Sequence, residues 1–552
     1  TIEECEITPE LGENDDATIF ITGTLKNLND KSIDLEVKMS LQPDNFTGKN
    51  YSNSSSLTLK PGINSFAFSM YLDNPSLWWT WDMGHPNLYQ LNLNFLMNNK
   101  KTLHNYNELV GIREVSKGNN WELYLNGTRF FARGTNYLSD HFLSQSTPEL
   151  YDQDLNLVLD ANMNMIRVFS HMEKNYFYEQ CDRKGILIFQ DLPFQWGYKP
   201  ECSLINRASS LARRFVKKLY NHPSIFLWCC HSESRLHDYN KLDQVLEKTV
   251  RELDPHRPVW KNSVMVASND LAPYFKDNNE FLSYTESHLS VHWVGWYWGE
   301  IADAEHYNPL FVTEFGSQSV PDLSTLKKFI PKNKLWPPDK DEWSYRGFQF
   351  NIYQKNIGNI PNNITNFIKE SQRYQSQFYK KHIETLRRKK YNHVNGLLQF
   401  HLVNPWPAID WSIIDYYRKP KLAYYTVKKA FNPLLLSFKG VFNKQGVKIT
   451  GWIVNDYHHK LENIELEYKI IINENLIDLG KVTITTIKSD SSEKYLTKEI
   501  KTEAKEILVK GVLYQKGKEG RKKLFSNKNN LIPEKSIEDV DFPKLTQDQD
   551  TN

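Results

Sequence analysis

Short runs of alternating hydrophobic and polar residues occupy the first 113 positions of the chain. Ala17–Ile21 and Ile33–Val37 are two such runs, and Asn, Asp, Gly and Pro residues lie between them. Alternation with a period of two places apolar side chains on one face of a strand. We therefore expect residues 1–113 to form an immunoglobulin-like β-sandwich.

From residue 114 the pattern changes, and apolar runs of strand length alternate with segments of helical period. Such alternation is typical of βα units around a parallel sheet. The runs with strand character are Phe130–Gly134, Met163–Phe169, Ile186–Gln190, Ile225–Trp228, Val259–Trp260, Tyr284–His292, Leu310–Thr313 and Gly396–Phe400. Eight units over about 300 residues match a (β/α)8 TIM barrel, which we predict over residues 114–432.

The last two βα units are separated by a long insertion. Residues 331–362 show no regular period, and a helix is predicted at about residues 363–390. This helix ends in the basic run Arg387–Lys390. Cations suit a helix C-terminus, so we expect this run to be a solvated helix end.

Alternation with a period of two returns near residue 433. Gly446–Val454 and Ile464–Ile472 are the clearest runs, and they predict a second immunoglobulin-like β-sandwich over residues 433–518. Residues 519–552 are charged and lack apolar periodicity, so we expect them to form a disordered tail. The predicted architecture is multidomain, with a barrel between two sandwiches.

Composition narrows the classes of function. The chain has 552 residues, is 13% aromatic and carries a formal net charge of +2, which argues against a nucleic-acid partner. No apolar stretch approaches the roughly 20 residues of a membrane helix, so we expect no membrane partner. The sequence leaves open whether the chain forms a homodimer.

Cysteine usage bears on the compartment. The 5 cysteines match neither a disulfide framework nor a zinc site, which favours free thiols, a cytoplasmic location and no metal. The chain begins with Thr1 and shows no targeting segment. N-x-S/T sequons keep a secreted or lysosomal origin open. They begin at Asn45, Asn50, Asn53, Asn126 and Asn363.

Two glutamates carry the candidate chemistry. Glu233 follows the run Ile225–Trp228, and Glu314 follows Leu310–Thr313. The carboxyl ends of barrel strands meet at one face, which is where active sites of this fold lie. Two carboxyl groups there, one protonated and one ionised, are what hydrolysis of a glycosidic bond requires.

Several motifs around these glutamates resemble glycoside hydrolase family 2, and most closely its β-mannosidase and exo-β-glucosaminidase branch. The resemblance covers about residues 70–520. It lies in Leu77-Trp78-Trp79 with Gly84 and Leu88-Tyr89, in Phe177–Asp182 and Gly185–Asp191, in His292–Trp296, in Thr313–Ser319 with Pro321, and in Trp406-Pro407 and Trp411–Tyr417. It implies a retaining exo-glycosidase without a cofactor, acting on an oligosaccharide or glycoside.

The resemblance also implies roles for individual residues. Glu314 would be the nucleophile, Glu233 the acid/base, and Arg167 the cation that holds Glu314 ionised. Further candidate substrate-binding residues are Asn136, Asp191, Ser232 and His292 as polar groups and Trp196, Trp293, Trp296 and Trp406 as stacking platforms.

The chain also departs from the family pattern. Ser232 stands where the family usually has Asn before the acid/base, and Phe400 stands where it usually has a stacking Trp. Phe169-Ser170-His171 is closer to the β-galactosidase pattern, and nothing corresponds to the family's N-terminal sugar-binding domain. That absence leaves a truncated chain, a split gene or a more open cleft as explanations.

We expect a β-D-mannoside to be the substrate. β-Galactosidase, β-glucuronidase and exo-β-glucosaminidase activities are the alternatives within the enzymes. A carbohydrate-binding protein without hydrolytic activity, on a decayed family scaffold, is the alternative of another class.

Overall fold

The N-terminal alternating runs form two antiparallel sheets in the computed structural model, which describes residues 2–97, 101–138, 140–198, 201–234, 240–265, 289–518 and 520–534. Strands β1, β2 and β5 form one sheet, and β4, β3, β6 and β7 form the other, in that order. The strands are β1 (Ile2–Leu11), β2 (Asp16–Asn27), β3 (Ile33–Pro43), β4 (Tyr51–Leu59), β5 (Gly62–Asp73), β6 (Tyr89–Met97) and β7 (Lys101–Val110). Their inward side chains form one apolar core, as the alternation predicts.

A small three-stranded sheet leads into the barrel. It consists of β8 (Val115–Lys117), β9 (Leu123–Leu125) and β10 (Thr128–Phe130). Asn126 and Gly127, at φ +49° and +71°, form the two-residue turn between β9 and β10. Asn-Gly is the sequence that such a turn favours, because both positions need positive φ.

The next strands form one parallel sheet. They are β11 (Ala132–Tyr137), β12 (Met165–Val168), β13 (Leu187–Asp191), β14 (Ile225–Cys229), β15 (Ser232–Ser234), β16 (Val259–Trp260), β17 (Ser263–Met265), β18 (Leu289–Val291), β19 (Phe311–Glu314) and β20 (Gly396–Gln399). β14 continues into β15, and β16 continues into β17. β14 pairs with β16, and β15 pairs with β17. The ten segments are therefore eight strands closed into the predicted barrel. Tyr284–His288, part of the sixth predicted strand, lie outside the described residues.

Helices follow most of the barrel strands. The helices are α1 (Pro148–Asp160), α2 (Asn175–Lys184), α3 (Cys202–Leu219), α4 (Asn240–Leu253), α5 (Leu323–Phe329), α6 (Lys332–Leu335), α7 (Lys340–Tyr345), α8 (Phe350–Asn356), α9 (Ile364–Arg388) and α10 (Leu422–Ala430). The insertion predicted to be irregular contains the three short helices α6, α7 and α8, which pack around the buried Trp343. None of the described helices combines the length and apolar character needed to cross a bilayer.

Gly185 joins the barrel to the N-terminal sandwich. It ends α2 at φ +66°, a conformation that favours glycine. A Cβ there would lie 2.7 Å from Trp81 N and 2.9 Å from Trp79 O. The Trp78 and Trp81 indoles donate to barrel carbonyl groups, each at 2.8 Å. These tryptophans therefore dock the sandwich onto the barrel.

The C-terminal region forms a second pair of antiparallel sheets, β21-β22-β25 and β24-β23-β26-β27. The strands are β21 (Leu434–Asn443), β22 (Gly446–Asn455), β23 (Leu461–Ile472), β24 (Asn475–Ile487), β25 (Ser491–Ile500), β26 (Ile507–Gly517) and β27 (Gly520–Leu531). The fold class predicted from the sequence, a TIM barrel flanked by β-sandwich domains, is confirmed.

The expectation of a disordered tail after residue 518 is wrong for Gly520–Leu531. This segment is strand β27 and pairs along its length with β26. Phe525, Asn527 and Leu531 are buried, while the lysines of β27 are exposed or half-exposed. The apolar signal is too sparse to predict a strand, because most residues of this edge strand are charged or polar. Residues 519 and 535–552 lie outside the described residues.

The expectation that Arg387–Lys390 is a solvated helix end is also wrong. Arg387 and Lys390 are buried and donate to Asp456 of the C-terminal sandwich, at 2.6 and 2.8 Å. Arg133, buried in β11, donates to the same carboxylate and also to Asp82 beside the N-terminal sandwich. Burial alone would raise the pKa of Asp456, but the three cations outweigh it and lower the pKa.

We predict that Asp456→Asn lowers the free energy of unfolding by about 3–5 kcal/mol at pH 7, because it leaves buried cations uncompensated. The lowered pKa means that Asp456 stabilises the fold above the pKa of an unfolded Asp, about 3.9. The difference in unfolding free energy between the variant and the wild type should therefore shrink as the pH falls through about 4. Urea unfolding measures it.

Glu499→Gln is the control, because Glu499 is 78% exposed beside Lys448. It should change the unfolding free energy by less than about 0.5 kcal/mol. An Asp456 variant as stable as this control would show that the buried network contributes nothing.

Candidate active site

Arg167 lies at the centre of the site. It is on β12, and its side chain is fully buried. Nη1 donates to Glu314 Oε1 at 2.6 Å, and Nη2 donates to Asp191 Oδ2 and to Ser232 Oγ, both at 2.8 Å. The forked guanidinium thus binds groups from three other barrel strands at once.

Asn136 and Asp191 lie next to Arg167 and bond to it. Both are fully buried at the ends of β11 and β13. Asp191 accepts hydrogen bonds from Arg167 Nε, at 3.1 Å, and from Nη2. Asn136 donates to Thr313 O at 2.9 Å and to Gln399 O at 3.2 Å. The sequence predicted that these two side chains reach sugar hydroxyls; in the structure their polar atoms bond inside the barrel.

Glu314 is the last residue of β19, and Arg167 holds its carboxyl group. Burial raises the pKa of Glu314, the charge of Glu233 raises it further, and Arg167 opposes both. The net direction is upward. Because the charge of Glu233 acts on Glu314, the two carboxyl groups belong to one electrostatic unit.

Glu233 lies in β15, and its hydrogen-bond donor is Trp196 rather than Arg167. Its Oε2 accepts from Trp196 Nε1 at 2.7 Å. Burial raises the pKa of Glu233, while the Trp196 bond and the charge of Arg167 lower it less. Glu233 has φ +50° and Trp196 has φ +59°, a left-handed conformation that is uncommon outside glycine. Backbone of this kind is concentrated at functional sites.

Aromatic rings form a wall beside the carboxyl groups. Phe400 packs edge to face on Trp293 and Phe169, each with ring centroids 5.6 Å apart. Trp411 and Tyr297 join this cluster. Burial raises the pKa of Tyr297 to about 12, and the charge of Glu233 adds to the effect, which places Tyr297 near the acid pair.

Sequence reasoning missed Tyr297 and Trp411 as site residues. Tyr297 directly follows the His292–Trp296 motif, and Trp411 lies in a motif interpreted only as the end of the barrel. The available signal was that Tyr297 lies next to a matched motif and Trp411 lies within one.

The remaining predicted residues lie in different surroundings. Trp293 is 4% exposed and is part of the wall, Trp406 is half-buried against His141, and Trp196 is 57% exposed. Trp296, predicted as a stacking platform, is fully buried and donates to Gln349 at 3.0 Å.

His292 is also packed inside the barrel. Its ring lies 4.1 Å from that of Tyr307 and 5.5 Å from that of His382, centroid to centroid. Burial lowers the pKa of His292 well below its usual value, so the ring is neutral. The structure assigns His292 a packing position behind the site, where the sequence predicted a polar contact with the sugar.

Comparison with known proteins gives two sequence profiles that match the chain. The profile described as Glycosyl hydrolases family 2 matches residues 1–113, and that described as Glycosyl hydrolases family 2, TIM barrel domain, matches residues 116–336. Together they cover more than half of the chain.

Individual relatives are more distant. Beta-mannosidase B of Thermothelomyces thermophilus is 26% identical over 412 residues, and that of Aspergillus niger is 25% identical over 403 residues. These matches cover 66% and 67% of this chain and 48% of each relative. The chain therefore spans about half the length of the curated relatives it matches.

Solved structures agree with the fold. A β-D-mannosidase from Dictyoglomus thermophilum superposes with a TM-score of 0.83 at 25% identity, over 96% of this chain and 66% of that one. An exo-chitosanase from Amycolatopsis orientalis gives a TM-score of 0.73 at 18% identity, over 96% and 64% of the two chains. The second likeness bears on the fold alone.

We predict that Arg167→Met lowers the free energy of unfolding by about 3–5 kcal/mol at pH 7, because Asp191 and Glu314 lose the cation between them. Burial already raises the pKa of both carboxyls, and the loss of Arg167 raises it further. A raised pKa favours the protonated group in the folded state, so the difference from the wild type should grow as the pH rises from 5 to 8.

Arg213→Met is the matched control, since Arg213 is 48% exposed and lies 3.7 Å from Glu252. Denaturant unfolding at several pH values compares the two variants. A pH-independent loss for Arg167→Met would contradict the role of Arg167 as the counter-charge.

Proposed function

The chain belongs to glycosyl hydrolase family 2, and from that premise we propose that it is a retaining exo-β-glycosidase that releases terminal, non-reducing β-D-mannosyl residues. The observation that carries the proposal is the carboxyl pair Glu314 and Glu233, buried together at the ends of barrel strands, with Arg167 bonded to one and Trp196 to the other. The β-mannosidases among the relatives support mannose as the sugar.

The first step uses both carboxyl groups. A Glu314 oxygen attacks the anomeric carbon while the bond from that carbon to the leaving-group oxygen breaks. Glu233 gives its proton to that oxygen as general acid. The products are the free leaving group and a glycosyl ester on Glu314, with Glu233 as a carboxylate.

The second step reverses these roles. The Glu233 carboxylate takes a proton from water, and the water oxygen attacks the anomeric carbon and displaces Glu314. The sugar leaves with its original configuration, because each step inverts it once. No cofactor takes part in either step.

The donors around the pair decide which carboxyl holds the proton. Burial raises the pKa of both carboxyl groups, and the charge of Glu233 adds to the rise at Glu314, so the pair holds a proton more readily than two free glutamates do. A guanidinium is the stronger partner for an ionised carboxylate, and Arg167 bonds directly to Glu314. The proton therefore resides on Glu233, which has the neutral indole as its donor.

Formation of the ester then changes Glu233. The repulsion between the two charges is mutual, and it disappears when Glu314 becomes a neutral ester. The pKa of Glu233 falls as a result. The same carboxyl group is thereby suited to be an acid in the first step and a base in the second.

Domain limits follow from the same architecture. We propose the sandwich at residues 1–113, the catalytic barrel at 114–432 and the C-terminal sandwich from 433, extended past 518 to include β27. Asp82, Arg133 and Asp456 connect the three units.

We predict that 2-deoxy-2-fluoro-β-D-mannosyl fluoride inactivates the protein and adds one fluoromannosyl group to the peptide that contains Glu314. The fluorine at C2 slows both steps, and the good leaving group restores the rate of the first step only, so the ester accumulates. Mass spectrometry of peptides detects it, and Glu314→Gln should show none.

No adduct in folded wild-type protein would favour a carbohydrate-binding protein instead. A panel of chromogenic β-mannoside, β-galactoside, β-glucuronide and β-glucosaminide tests the sugar separately. The highest kcat/KM on a sugar other than mannose would correct the substrate and leave the mechanism intact.

We predict that Glu233→Ala lowers kcat/KM on a substrate with a poor leaving group by about 10²–10⁴-fold. It should also remove the alkaline limb of the pH profile, because that limb reports loss of the Glu233 proton. Azide should restore turnover of an activated substrate and yield the β-glycosyl azide.

Glu462→Ala is the control, because Glu462 is half-exposed on the C-terminal sandwich. It should keep both the acidic and the alkaline limb of the pH profile. An α-glycosyl azide from Glu233→Ala would reverse the two roles and make Glu233 the nucleophile.

A further inference from the structure

Trp196 has an exposed ring with a fixed polar edge. The residue is 57% exposed, yet Nε1 donates to Glu233 Oε2 at 2.7 Å. Indole has one hydrogen-bond donor and no conventional acceptor. The bond to Glu233 therefore orients the ring, and the surface left open to solvent is apolar.

Backbone contacts hold Trp196 in place. Its N–H donates to Ser232 O at 3.0 Å, and its carbonyl oxygen lies 2.9 Å from His231 Nε2. On its other side, His231 Nδ1 lies 2.7 Å from Asp243 Oδ1. His231 and Ser232 directly precede Glu233, so Trp196 is fastened to the segment that carries the acid. The ring can be exposed without losing its position.

The same bond determines where the acidic proton sits. Because Trp196 can only donate, Glu233 Oε2 must accept, and the proton of the neutral acid is directed to Oε1. Trp196 is the hydrogen-bond partner of Glu233 within the described residues. A general acid must lie within hydrogen-bond reach of the oxygen that it protonates. Trp196 therefore lies on the leaving-group side of the site.

We propose that the exposed face of Trp196 binds the sugar on the leaving-group side, while its indole N–H holds Glu233 in position to protonate the bond between the two sugars. The proposal rests on the proposed function, because a leaving-group site requires a hydrolase. The C–H faces of a pyranose ring pack well on an aromatic plane.

The two roles can be separated by substitution. Trp196→Phe keeps an aromatic face and removes the N–H, whereas Trp196→Leu removes both. Neither change touches the backbone contacts to His231 and Ser232. Trp452→Phe is the matched control, since Trp452 Nε1 donates to Thr450 Oγ1 at 3.1 Å on the C-terminal sandwich.

The test uses the full chain with β-1,4-mannobiose, which needs both a proton and a sugar site, and 2,4-dinitrophenyl β-mannoside, whose leaving group needs no proton. We expect Trp196→Phe to lower kcat/KM on mannobiose about tenfold, the upper end of the range for one hydrogen bond between neutral groups. Its kcat/KM on the dinitrophenyl substrate should stay within about twofold of the wild type. Trp196→Leu should lose a further fivefold or so on mannobiose, mainly through KM.

The pH profile supplies a readout that loss of packing would not move. The Trp196 bond lowers the pKa of Glu233, so its removal raises that pKa. The alkaline limb on mannobiose should therefore shift to higher pH in Trp196→Phe and stay unchanged in Trp452→Phe.

Each role can fail separately. An unshifted limb and wild-type kcat/KM in Trp196→Phe would overturn the positioning role. Equal KM for mannobiose in the Phe and Leu variants would overturn the sugar-binding role. If the wild type cleaves neither substrate and forms no fluoromannosyl adduct, the proposed function falls, and the inference falls with it.

Discussion

One buried guanidinium holds the site together. Arg167 binds Glu314, Asp191 and Ser232, which come from three different strands of the barrel. Removing charges from water is costly unless they are paired and hydrogen-bonded. Each of these groups therefore depends on the others for its position. The end of the barrel is fixed by this polar constraint as much as by apolar packing.

The constraint also makes two chemically identical side chains different. Glu314 and Glu233 are both buried, and burial alone would make both of them weaker acids. The difference lies in the donor that each receives, a cation at Glu314 and a neutral indole at Glu233. Small differences in surroundings separate the roles of paired carboxyl groups in glycosidases in the same way.

The sequence predicted the fold class, and the order of the barrel strands followed from apolar runs. The resemblance to the family implied that Arg167 holds Glu314, and the two side chains form an ion pair in the structure. The sequence did not predict which side chains point inward. Asn136 and Trp296 occupy strand-end and loop positions typical of substrate contacts, yet both are buried, since burial depends on neighbours far away in the chain.

Charge patterns misled in the same way. The run Arg387–Lys390 has the composition of a solvated helix end, and only the arrival of Asp456 from another domain makes its burial possible. β27 likewise looks like a polar tail until its pairing with β26 gives Phe525 and Leu531 a surface to cover. Long-range partners of this kind leave no local signal.

The ion pair between Arg133 and Asp456 has a consequence for synthesis. The two residues are 323 positions apart, and Arg133 lies in the first strand of the barrel. At about 5–20 residues per second, the ribosome completes Arg133 on the order of 15–65 s before Asp456. During that interval Arg133 can pair with Asp82, which precedes it in the chain, but not with Asp456. The buried cluster of Arg133, Arg387 and Lys390 is therefore completed only when the C-terminal sandwich supplies Asp456.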